Sequence, residues 1–93
     1  MTRAEWALLP TPEVLTLNAA GTDADLARAN GWEPGTHLAG DNPLGVMVLR
    51  ITAIGEEHVL ARVVSVAGQP PKHWPFEACR NLRDRDWRKV PQA

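Results

Sequence analysis

The chain has no tyrosine, a single phenylalanine and a single cysteine, and its net charge is only −1 over 93 residues. Each scarcity excludes something. Cys79 on its own forms no internal disulfide, so oxidative stapling does not hold the fold, and a reducing cytoplasm is the expected compartment. A charge so near zero sets up no global field toward nucleic acid or membrane. No apolar run is long enough to span a bilayer, and Met1-Thr2-Arg3-Ala4-Glu5-Trp6 lacks the apolar stretch of a signal peptide. There is no glycine-rich phosphate loop, no His-Glu-x-x-His, no Gly-x-Ser-x-Gly and no Cys-x-x-Cys. The three histidines, His37, His58 and His73, stand at spacings that match no metal site. No cofactor or metal is expected.

The length implies one domain, residues 1–93. A domain of this size buries about 60–65% of its unfolded surface, which gives one modest core and no deep substrate cavity. What the chain does have is a stretch from Gly45 to Ala67 in which two runs rich in Val, Ile and Leu flank Gly55-Glu56-Glu57. That is a β-hairpin pattern. With a three-residue loop, Ile54 faces His58, and Met47, Leu49, Ile51, Ala53, Val59, Ala61 and Val63 share one uncharged face. A two-residue loop would slip one strand by a position and put Arg62 among Leu49 and Ile51, an expensive burial. In the preferred register Arg50 and Arg62 are cross-strand neighbours. Like charges so placed repel unless an acid or an outside anion lies between them. The second face also carries Val46, Val48, Ile54, Leu60 and Val64, so something is expected to cover part of it.

The remainder divides into an N-terminal helical segment, 1–31, and a β region, 32–90. Met1 to Leu9 has no clear period and is either frayed or docked by Trp6. Thr11-Pro12-Glu13 reads as a helix start, with the helix running to Ala20, although Val14–Leu17 also fits a short strand. Thr22-Asp23-Ala24-Asp25 is a second start, with Thr22 as N-cap and Asp25 returning the bond to the cap. Asn30-Gly31 ends that helix. Glu33-Pro34-Gly35 is a turn, Thr36–Gly40 a strand with Leu38 inward, and Asp41–Gly45 a loop. Beyond the hairpin, Lys72 to Phe76 is an edge strand or extended segment, Asn81 to Asp86 a single helical or 3₁₀ turn, and Trp87 to Val90 a last strand.

Two surfaces are candidates for binding. Trp74, set among Lys72, His73 and Phe76 and flanked by prolines, has the character of an exposed aromatic contact for a protein partner. The C-terminal segment from Arg80 sets five basic residues, Arg80, Arg83, Arg85, Arg88 and Lys89, against Asp84 and Asp86. That local +3, with Trp87 among the cations, has the ingredients of nucleic-acid contact, and Arg50 and Arg62 extend the strip. The bland reading pairs Asp84 and Asp86 with the arginines and puts Trp87 in the core. Cys79 beside Arg80 is either an activated thiol, with His73 as the base that approaches it, or a small buried residue. No paired carboxylates or nucleophile–base set stands out, and the chain reads as non-enzymatic.

The succession of strand, loop, long hairpin, short strand, helical turn and last strand resembles the small five-stranded barrels of the Src-homology-3 type. That resemblance implies a mainly β fold, a small SH3-like barrel of about five short antiparallel strands with one or two short N-terminal helices. The rival architecture is an open three- or four-stranded antiparallel sheet backed by the Thr22–Asn30 helix. The segments Pro34-Gly35-Thr36-His37-Leu38-Ala39-Gly40 and Leu82-Arg83-Asp84-Arg85-Asp86-Trp87-Arg88-Lys89-Val90 resemble parts of small proteins from actinobacteria and their phages. Signalling-type peptide-binding barrels line their groove with tyrosine, which this chain lacks. The function expected is a small binding module with a protein partner, a phage-encoded regulator of a host protein being one form of it; the alternative is nucleic-acid binding through the basic C-terminal segment.

Overall fold

The computed structural model describes residues 1–11, 21–72, 77–83 and 85–91. Two short helices, α1 (Arg3–Ala7) and α2 (Asp23–Ala29), precede five strands: β1 (His37–Asn42), β2 (Gly45–Ile54), β3 (Val59–Val66), β4 (Glu77–Cys79) and β5 (Trp87–Lys89). The strands form one open antiparallel sheet in the order β4-β3-β2-β1-β5. The helix expected over residues 12–20 lies outside the described residues.

The centre of the hairpin has the expected register, with Leu49 opposite Val63, Arg50 opposite Arg62 and Ile51 opposite Ala61. Its ends do not. Thr52 is an extra residue on β2 and Val64 an extra residue on β3, so the pairs become Ala53–Leu60, Ile54–Val59 and Val48–Ser65. A bulge advances the side-chain alternation by one residue. Ile54 therefore packs against the core, whereas Ala53 leaves the face expected for it and joins Leu60 on the other. The connection is one residue longer than expected, closed by the Gly55 N–H donating to the His58 carbonyl at 2.9 Å.

Leu38, Leu49, Ile51, Val59, Ala61 and Val63 form the buried face of the sheet together with Trp87. Helix α2 covers it with Ala24, Leu26 and Ala27, and Trp32 and Leu82 complete the core. At seven residues α2 is too short to stand alone, and both its ends are capped. The Thr22 hydroxyl accepts from the Asp25 N–H, and the Asp25 carboxylate accepts from the Thr22 N–H. At the other end Gly31 N–H bonds the Arg28 carbonyl and Trp32 N–H the Ala27 carbonyl, a Schellman closure that swings Trp32 into the core. Glu33-Pro34-Gly35-Thr36 is then a type II turn, Gly35 at φ +97° and Thr36 N–H bonded to the Glu33 carbonyl at 2.9 Å.

Two expectations are corrected. β1 runs on to Asn42 and turns through Pro43-Leu44 directly into β2, where a longer loop was expected. The Asn42 side chain accepts from Leu44 N–H at 2.8 Å and makes that turn itself. A strand is formed at Glu77–Cys79; the edge strand or extended segment expected over Lys72 to Phe76 lies, beyond Lys72, outside the described residues. No helical turn forms among the described residues of 81–86. The Asn81 side chain accepts from Arg83 N–H at 2.9 Å, and Leu82 N–H donates to Asp23 at 3.3 Å, so the amides that would begin a helix are engaged elsewhere.

Candidate functional site

Arg50 lies between Leu49 and Ile51, and Arg62 between Ala61 and Val63, four residues that are all core. Alternation therefore sends both arginines to the outer face of the sheet. There they belong to one cross-strand row, His37–Arg50–Arg62–Glu77, that runs over four strands. Directly opposite residues place their Cβ atoms about 4.5–5.5 Å apart. The acid at the end of the row, Glu77, accepts a hydrogen bond from the Thr52 hydroxyl and forms no ion pair with Arg62. Arg50 and Arg62 are both exposed and have no hydrogen-bond or ion-pair partner among the described residues. Around them lie aliphatic side chains, Val48 and Leu60 half-buried and Val64 exposed, with Cys79 opposite Leu60.

The other half of this outer face is covered, as its apolar content required. The segment containing α1 lies across β1, β2 and β5. Trp6 donates its indole N–H to the Ala39 carbonyl at 3.0 Å, and Arg3 pairs with Asp41 at 2.8 Å and donates to the Asn42 carbonyl at 2.6 Å. Arg88 lies under the segment. Its guanidinium stands 4.2 Å from the Trp6 ring centroid, donates to the carbonyls of Trp6, Ala7 and Leu9, and pairs with Asp86 at 2.9 Å.

This placement divides the residues singled out in the sequence. Arg50 and Arg62 come together as expected, and exposed Lys89 lies on β5 at the same end of the sheet as His37 and Arg50. Arg88 is consumed by α1, and Trp87 is a core residue at 4% exposure with Arg85 5.3 Å from its ring, so the tail does not offer the cation-and-aromatic strip expected of it. Arg80 and Arg83 face a different cleft, between α2 and β4. Lys72 is exposed; His73, Trp74 and Phe76, the rest of the expected partner contact, lie outside the described residues.

The α2–β4 cleft contains a juxtaposition the sequence reading missed. His58, Cys79, Arg80 and Arg83 line it with Asp23 and Glu57. The expected buried Cys79 is instead exposed, because β4 is an edge strand and Cys79 lies on its outer side. The Leu60–Cys79 pairing brings Cys79 to the cleft that His58 lines, and no local pattern in the sequence sets the register between those two strands. No group of three metal-binding side chains exists among the described residues, and no helix among them is long and apolar enough to cross a membrane.

Together the sheet and this face define a small antiparallel β domain with a partly covered outer surface, whose open part combines arginines that have no ion-pair partner among the described residues with aliphatic side chains. Residues 21–92 match the family described as a domain of unknown function, DUF7241, and the chain belongs to it. Helix α1 lies outside the matched residues. No curated protein and no solved structure matches the chain.

Proposed function

We propose that the domain is a non-enzymatic protein-binding module whose docking face is the open outer surface of β2, β3 and β4. The observation that carries this reading is the Arg50–Arg62 pair, facing cations without an acceptor among the described residues. A partner that brings carboxylates between them relieves their repulsion and gains charge-assisted hydrogen bonds. Val48, Leu60 and Val64 give that partner an aliphatic seat. A protein is favoured over a nucleic acid because single-strand binding needs exposed rings on which bases stack, and the described tryptophans are buried or, for Trp6, held against Arg88. The order of elements supports placing the sheet among SH3-like barrels. The likeness of Pro34–Gly40 and Leu82–Val90 to actinobacterial and phage sequences supports a host protein as partner.

The test is capture of partners from lysate by the native chain, by the double variant Arg50→Glu/Arg62→Glu and by Trp74→Ala, beside polarisation of labelled single-stranded oligonucleotides. Loss of capture with the glutamate pair alone is the expected result. Equal recovery by the native chain and the glutamate pair refutes the docking face. Oligonucleotide binding that falls with salt at a slope near −0.7 per neutralised phosphate moves the function to nucleic acid.

A further inference from the structure

The segment that carries α1 crosses the outer face of the sheet from the end of β3 to β5. It starts beside Gly68, where a Cβ would stand 3.9 Å from the Met1 nitrogen, and it finishes on Arg88. Ala39 alternates with Leu38 and Val46 with Met47, so both belong to this outer face. Both are buried, yet neither is part of the core cluster. No residue of α1 is buried in return. Arg88 is shared between the sheet and the segment. Its Nε and Nη2 donate to Asp86 at 3.2 and 2.9 Å, and its Nη1 donates to the carbonyls of Trp6, Ala7 and Leu9. Ala39, opposite Arg88, is also opposite Val48, so Arg88 stands in the row next to His37–Arg50–Arg62–Glu77 on the same face.

From this we infer that the α1 segment is an autoinhibitory strap, which holds shut the part of the outer face that adjoins the docking surface. The inference rests on the docking face proposed above. With the strap closed, an acidic partner meets Arg50 and Arg62 and the edge of α1. With it open, the same partner gains the apolar ground of Ala39 and Val46 and an Arg88 Nη1 that has lost its acceptors. Asp86 keeps the other two nitrogens, so Arg88 adds a charge-assisted hydrogen bond rather than a free cation. The closed state lowers the apparent affinity by the fraction of molecules that are open, and a partner that binds the open face shifts that fraction.

Native-state hydrogen exchange of the full chain reads the strap without any partner. The Trp6, Leu8 and Leu9 amides donate to the carbonyls of Thr2, Glu5 and Trp6, and the Ile51 amide donates to Thr36. The three α1 amides exchange through local opening, about a hundredfold or more faster than Ile51. The second arm measures polarisation of a labelled hexaglutamate peptide at low salt, with the native chain and with Arg3→Ala/Trp6→Ala, which loosens the strap. The loosened chain binds about tenfold more tightly, Arg88→Gln in that background removes most of the gain, and Arg50→Gln/Arg62→Gln abolishes binding to both chains. Protection of α1 equal to that of Ile51, or equal affinity of the two chains, overturns the strap and leaves the docking face standing. Loss of Ile51 protection in the loosened chain also overturns it, since α1 then holds the fold. Binding by neither chain, or binding indifferent to Arg50→Gln/Arg62→Gln, removes the docking face and the strap's role with it.

Discussion

Arg62 works against the fold at the position where it works for binding. Opposite Arg50 it contributes repulsion to the strand ladder. Arg50→Glu turns that repulsion into attraction without setting a second acid opposite Glu77, and should raise stability by about 0.2–1 kcal/mol. The gain should shrink as salt rises, while partner capture is lost. Urea midpoints at low and high salt check this, and a destabilised Arg50→Glu would show that the two arginines already share a counter-charge. Gly40 is a residue-scale constraint of a different kind. A Cβ there would meet the Trp87 ring at 2.7 Å, and that ring is core. Gly40→Ala must displace Trp87 or the backbone of β1, at a cost of about 1–3 kcal/mol. An unchanged unfolding midpoint together with unchanged tryptophan emission would contradict that packing.

Helix α2 is the element most dependent on its ends. The Thr22 amide, then the Thr22 hydroxyl and Arg28, hold the Asp25 carboxyl below the usual carboxylate range. A depressed folded-state value contributes stability that is present above the unfolded value and is lost as pH falls through the folded one. The stability gap between the native chain and Asp25→Asn should therefore narrow on acidification; a constant gap would mean the carboxylate adds nothing. Thr22→Ala should cost about 1 kcal/mol at neutral pH. This capping was legible because it is written in contiguous residues, as were the Glu33–Thr36 turn and the central hairpin register. The bulges at Thr52 and Val64 were not. Each shifts the alternation without disturbing the run of β-forming residues, and Thr52 is explained only by Glu77 on another strand. The candidate site followed the same division. The Arg50–Arg62 pair came from local register, whereas the loss of Arg88 to α1 joins residues some eighty positions apart.

At the scale of the whole molecule the family match separates what makes the sheet from what lies across it. Residues 21–92 contain all five strands, α2 and every residue of the core cluster. The segment ahead of them reaches the outer face through α1, none of whose residues is buried, and through exposed or half-buried bonds of Arg3, Trp6 and Arg88. Hydrogen bonds of that kind contribute about 0.5–1.5 kcal/mol each at most, and surface ion pairs less. A chain lacking Met1 to Leu9 should therefore keep its far-UV circular dichroism and its cooperative unfolding while losing about 1–3 kcal/mol. Its outer face should change more than its stability. Ala39 and Val46, buried yet outside the core cluster, become accessible, and Arg88 loses the Trp6 ring and the three carbonyls it serves. Arg88 then stands one residue row from Arg50 on the same face, so an acidic partner should bind the shortened chain more tightly, with a steeper salt dependence. Unfolding of the shortened chain would make α1 part of the fold's stability, and an unchanged affinity would separate Arg88 from the binding face.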